Sequence, residues 1–266
     1  MAILGPLGRG PAAYEPRTGW PPWAALPAGV AVLAVSFVIG GLAYAVIAAK
    51  TGGIAQAEPV PVAVAVGVLA FQVSLILLTW FVSGLFSSDR KLALALVPPA
   101  QGWGVVGPAL VPLFAFTLLW TGAVLLWDPS VVVKDLRPFE ELLRGDALWL
   151  VLLVMAVGAP LSEELMFRGF LFSALSKSRL RFIGTAIITA ALWSIIHYGY
   201  SLYGLVEIFG IGLYFAWLLV RTGSVWVTII CHGIYNAVVA LALILVPLPG
   251  AELPSPAPPP VPALHN

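Results

Sequence analysis

Hydrophobic positions along the chain gather into seven long runs, near residues 26–49, 60–85, 105–127, 147–172, 182–198, 205–220 and 225–246. A helix that crosses a bilayer needs about 20 mostly apolar residues. Each run therefore predicts one crossing, although the fifth and sixth are short. Their junction, HYGYSLYG, has no charged residue and is free to sit below the membrane surface. The pattern predicts an all-α polytopic transmembrane helix bundle of about seven spans. Residues 1–24 are expected to be an N-terminal segment without the apolar core of a cleavable signal peptide. Residues 25–246 are expected to form a single transmembrane domain. The tail 247–266 is rich in proline and is expected to be an extended, disordered extension. Segment 128–146 is long enough for an interfacial amphipathic helix connecting the third and fourth runs.

Composition changes the picture only by making lipid the necessary solvent. Of 266 residues, 61% are hydrophobic and 9% are charged, against about 25% charged in a soluble domain. A net charge of +1 points to no nucleic-acid partner. The single cysteine, Cys231, excludes an intrachain disulfide. Orientation follows from basic residues in the short loops. Arg9, Arg17, Arg90, Lys91, Lys177, Arg179, Arg181 and Arg221 fall on one side. Lys50, Lys134, Arg137 and Arg144 fall on the other, the last three mixed with acids. The expectation is a multi-pass protein of the plasma (inner) membrane with a cytoplasmic N-terminus.

Candidate chemistry lies in the polar residues that interrupt the apolar runs: Glu163, Glu164, Arg168, His197, Glu207, His232 and Asn236. An ionised group at mid-membrane depth costs at least ~2.5 kcal/mol on insertion scales and calls for a named partner. Glu164 and Arg168 are four residues apart on one helical face, acid first, and can neutralise each other. Glu163 is rotated by about 100° and lacks that partner. It is either a third member of a structural ion cluster or a general base. Trp193 lies one turn before His197, which reads either as an interfacial histidine or as part of a site. His232 and Asn236 share a face of the last run and could equally be interhelical hydrogen-bonding glue. Together, a carboxylate, two imidazoles and a carboxamide suffice for amide hydrolysis, with water activated by Glu163 and an oxyanion held by His232 and Asn236. Straight spans put His197 and His232 toward opposite membrane faces. They meet only if helices tilt or the fifth span ends early. Glu207, at the depth of His197, is a candidate accessory group that holds or charges that histidine; the alternative is a snorkelling rim carboxylate.

Glu163, Glu164 and Arg168 match the EExxxR motif of the CPBP family of intramembrane endopeptidases, which includes the CAAX endopeptidases. Trp193 to His197 resembles its FxxxH motif with Trp in place of Phe, and His232 to Asn236 matches HxxxN. The resemblance covers about residues 147–240. It implies a catalytic cavity among the last four helices and peptidase activity on a peptide or a C-terminal protein segment, lipidated in the CAAX case. It further implies that Glu163 and His197 activate water, His232 and Asn236 hold the oxyanion, and Glu164, Arg168 and Trp193 support the site. No cofactor is expected, since Asn236 is a poor zinc ligand. The zinc alternative would use Glu163, His197 and His232. From another class, the same residues would suit a non-catalytic membrane scaffold or a proton-coupled transporter.

Overall fold

A computed structural model describes residues 13–51 and 60–250. Those residues fold into helices and connecting turns. The helices are α1 (Pro22–Lys50), α2 (Pro61–Ser83), α3 (Val106–Trp127), α4 (Pro129–Arg144), α5 (Leu148–Leu175), α6 (Arg181–Ile195), α7 (Leu202–Thr222) and α8 (Val225–Leu245). Among the described residues, six of these are long and apolar enough to cross a membrane: α1, α2, α3, α5, α7 and α8. With the shorter apolar α6 they account for the seven hydrophobic runs, and the chain is an integral membrane protein. Of the tail 247–266 expected to be disordered, residues 247–250 are described and bonded to α4, and 251–266 lie outside the described residues.

The helices hold their polar backbone in internal hydrogen bonds, as a lipid environment requires. Their outer faces carry large apolar side chains such as Phe37, Leu77, Leu118 and Leu119. The middle of the bundle is α5, half of whose most apolar stretch is buried, against 17% for α1. Around it lie α2, α6, α7 and α8, while α1 packs along α2. The core gathers Leu75, Leu113, Phe167, Phe170, Trp193, Phe215 and Leu218.

Alternating crossings bring two sets of loops together at opposite ends. At one end Gly19 N donates to Ser87, Lys177 Nζ to Thr18 O, and Ala13 N and Tyr14 N to Val220 O. There, Ala100 N also donates to Thr222 O and Ser224 Oγ to Val97 O. Residues 13–20 are thus a packed strap, with Tyr14 buried between Phe172 and Phe182. At the other end lies the expected interfacial helix, α4. Asp128 caps it by accepting from Ser130 N, and Pro129 fills its first position.

Helix α4 is tied down at two places. Asp135 accepts from Ser201 N and Ser201 Oγ, at 2.7 and 2.6 Å, fixing the start of α7. Glu140, 1% exposed, accepts from Arg137 at 2.8 Å, Arg144 at 3.2 Å and Leu248 N at 2.9 Å. Arg137 and Arg144 also reach the backbone carbonyls of Pro249 and Leu243. Burial opposes ionisation of Glu140, but the Leu248 N–H and the two guanidiniums outweigh it and hold its carboxyl below the ordinary value of 4.5. A depressed carboxyl stabilises the fold above its unfolded value, and the benefit is lost as pH falls through the folded value. Glu140→Gln is therefore expected to lower the melting temperature in detergent by several degrees at pH 7. The gap between variant and wild type should close below about pH 4, which thermal melts across pH would show.

Candidate active site

The site is assembled on α5, α6 and α8, with α7 behind it. Helix α5 is not regular. It widens into π-turns at Val154–Gly158 and Leu165–Leu171, separated by the ordinary turn Ala159–Glu164. The first has a local cause in Pro160, which has no N–H and whose ring would strike the carbonyl four residues back. A wide turn makes room for the ring, with Ala159 N donating to Val154 O across it.

Two carboxamides from neighbouring helices donate to carbonyls of this turn. Gln72 of α2, 3% exposed, donates to Val154 O at 3.1 Å. Asn236 of α8 donates to Met155 O at 2.9 Å. Both approaches need glycine. A Cβ on Gly158 would lie 1.9 Å from Gln72 Oε1, and one on Gly233 would lie 2.8 Å from Ala156 O.

One turn further on, the two glutamates separate as their helical positions require. Glu164 is fully buried and its Oε1 takes Arg168 Nη1 at 3.0 Å and His232 Nδ1 at 3.1 Å. Arg168, also fully buried, donates through Nη2 to Gly212 O at 3.1 Å. Its guanidinium lies 4.5 Å from the centre of the Trp193 ring and 5.5 Å from that of Phe215, a cation–π arrangement. Glu163 is only partly buried and takes a different partner: Trp193 Nε1 donates to its Oε2 at 2.6 Å. Phenylalanine, which the FxxxH motif has at this position, could not make this bond, because it has no N–H to give.

The difficulty over the depths of the histidines is resolved by the early end of α6. The helix stops at Ile195, and the chain turns through 196–201 before α7 begins. Ser194 Oγ bonds to Leu205 O at 2.7 Å and pins that turn. His197 lies within it, half-buried, with Nδ1 2.8 Å from Trp193 O. The rings of His197 and His232 each lie 5.5 Å from that of Trp193, centre to centre. Glu163, Glu164, Arg168, Trp193, His197 and His232 thus form one cluster, while Asn236 sits one turn beyond His232, against the π-turn.

These bonds settle the tautomers. A carbonyl only accepts, so His197 Nδ1 carries its proton and Nε2 presents a lone pair. His232 Nδ1 donates to the Glu164 carboxylate, and Nε2 is its free nitrogen.

Glu207 is placed differently from its candidate role beside His197. Its carboxylate accepts from Thr121 Oγ1 of α3, at 3.4 and 3.5 Å. The ring facing His197 is Tyr200, 6.0 Å away and also packed on Phe139 of α4. Burial first, then Tyr235, Asp135, Glu163 and Glu207, push the Tyr200 hydroxyl upward, so it stays a protonated donor. Gln72 and Tyr200 are absent from the sequence reading. For Gln72 the signal was present, as a carboxamide inside the second apolar run.

No group of three or more His, Cys, Asp and Glu able to hold a metal ion occurs among the described residues. Each residue of the zinc alternative keeps one donor atom open, His197 and His232 at Nε2 and Glu163 at Oε1. His232 and Asn236 each have one nitrogen engaged with Glu164 or Met155, and Glu163 is held through Oε2 by an indole.

Residues 145–238 match the family described as Rce1-like, type II CAAX prenyl endopeptidase. Over 92 residues the chain is 30% identical to YdiL of Bacillus subtilis, a protein provisionally named a membrane peptidase. That alignment covers 35% of this chain and 36% of that relative. No solved structure matches. Over the matched segment, α5 to α8, the chain is similar to that endopeptidase family, and the alignment spans about a third of the length of the relative it matches.

Two stability tests follow. Glu164→Gln leaves Arg168 buried without its counter-charge, at a cost of about 3–5 kcal/mol, and Arg168→Met in the same chain should recover part of it. Gly158→Ala drives a methyl group into Gln72 and is expected to lower the melting temperature strongly. Adding Gln72→Ala should relieve part of the clash while removing one of the two donors to Val154 O, at about 0.5–1.5 kcal/mol. Detergent melts of singles and doubles measure both couplings.

Proposed function

We propose that the chain is an intramembrane peptidase that hydrolyses a peptide bond with water activated by Glu163. The observation that carries this reading is the single indole of Trp193 touching Glu163, His197 and His232 at once. The substrate class we infer is the C-terminal segment of a protein or a small peptide, in the CAAX case a lipidated one that enters from the bilayer.

In the mechanism, Glu163 Oε1 accepts a proton from the water as its oxygen attacks the scissile carbonyl carbon. His197 Nε2, an acceptor, orients that water through its second hydrogen. The carbonyl oxygen becomes the oxyanion. Asn236 has a second amide hydrogen for it, the first being on Met155 O. His232 donates to it from Nε2 only as an imidazolium, because Nδ1–H is already committed. Glu164, on Nδ1, is the carboxylate that compensates that charge. Collapse of the intermediate breaks the C–N bond, and Glu163 returns its proton to the departing amine. All of this takes place in a setting of low dielectric, where fixed charges act strongly.

We infer a metal-free reaction, supported by Asn236, a carboxamide that suits an oxyanion and is a poor zinc ligand. We also infer a plasma-membrane location with the N-terminus in the cytoplasm. The shared end of the bundle that carries Arg17, Arg90, Lys91, Lys177, Arg179 and Arg181 supports that orientation.

Glu163→Gln keeps an acceptor for the Trp193 N–H and removes the base. It is expected to melt no lower than wild type and to lose at least about a hundredfold in rate. Purified protein incubated with prenylated CAAX peptides, their unprenylated forms and bacteriocin-like peptides would test this. Surviving cleavage by Glu163→Gln would refute the assignment of the base. Activity lost to a chelator and restored only by zinc would replace the metal-free mechanism with Lewis-acid catalysis.

A further inference from the structure

The indole of Trp193 makes more directional contacts with the site than any of the residues it touches. Its N–H is 2.6 Å from Glu163 Oε2, and the main-chain carbonyl of the same residue accepts from His197 Nδ1 at 2.8 Å. One aromatic face carries the Arg168 guanidinium, and both imidazoles meet the ring edge-to-face at 81° and 78°. The residue is 3% exposed. Gly212 leaves no slack around it: a Cβ there would lie 3.1 Å from Trp193 Cε3 and 2.9 Å from Ala190 Cβ. The ring is thus clamped between α5, α7 and α8 and has no room to turn.

We propose that Trp193 is the positioning residue of the site, holding Glu163 by one carboxylate oxygen so that only the other serves the water. This rests on the reading of Glu163 as the base. The reason is geometric. A glutamate has three rotatable bonds, and a base that wanders by an ångström forfeits much of its effect. A carboxylate pinned through Oε2 keeps Oε1 at one place relative to His197, whose orientation the same residue sets. Phenylalanine would fill the space and pack against both histidines, yet it would leave Oε2 without a donor and Glu163 free to swing. The tryptophan is therefore not an interchangeable aromatic here. Its one polar hydrogen is the part that the site uses.

The test separates that hydrogen from the shape of the ring. Trp193 is replaced, by site-specific incorporation, with β-(3-benzothienyl)alanine, in which sulfur stands for the indole N–H. Trp193→Phe is made alongside. The expected result for the isostere is a fall in kcat of about tenfold to a hundredfold, the worth of one hydrogen bond to a charged group. KM should stay within about twofold and the melting temperature should stay close to wild type. An isostere with wild-type kcat overturns the proposal even if Trp193→Phe is too unstable to measure. A second readout needs no substrate. In protein labelled with 15N at its indoles, the Trp193 N–H resonance is identified by its absence in Trp193→Phe. It should then move upfield in Glu163→Ala. If wild type cleaves none of the peptides, the proposed activity fails, and this resonance alone decides the anchor: a shift upholds it and an unmoved line overturns it.

Discussion

Everything at the centre of this bundle is arranged around one buried charge, the guanidinium of Arg168. A side chain with no exposure to solvent cannot leave its charge unanswered in a low-dielectric interior. Four groups answer it: Glu164 four residues earlier, the carbonyl of Gly212, and the faces of Trp193 and Phe215. They come from α5, α6 and α7, so satisfying Arg168 fixes how these three helices meet. Glu164 then extends the arrangement to α8 through His232. The ion pair is weak evidence for stability in itself. Its value lies in allowing one packing of these helices and penalising the others.

A second constraint acts along α5. Pro160 and the wide turn before it leave two carbonyls facing inward, and carboxamides from α2 and α8 take them. The family-matched segment, residues 145–238, is thereby tied to α2, which lies outside the match. Asn236 is held by the same arrangement at a known place, with one amide hydrogen spent and one left. Structure and proposed chemistry here use the same side chain, which is why the glycines opposite, Gly158 and Gly233, have no room for a methyl group.

The number and kind of helices were legible in the sequence because lipid imposes a simple rule: a run of about 20 apolar residues must satisfy its own backbone. The split between Glu163 and Glu164 was legible for a similar reason, since it follows from 100° of rotation per residue. The partner of Glu163 was not. Nothing in the spacing of a tryptophan thirty positions away says whether its N–H points at that carboxylate or at lipid. Glu207 shows the opposite failure. Equal depth in the membrane suggested His197 as its partner, but depth carries no information about azimuth, and its carboxylate faces Thr121 of α3.

What the sequence by itself determined are properties local to a helix or set by the solvent: spans, faces, the Glu164–Arg168 pair, and the residues too polar to be there without a use. What only the tertiary structure decided is how those faces meet. The early end of α6 brings His197 to Trp193, and two π-turns set the rotation of α5. A glycine at 212 lets the backbone of α7 close on the indole. These depend on contacts between residues far apart in the chain, whose free energies are not encoded in any one segment.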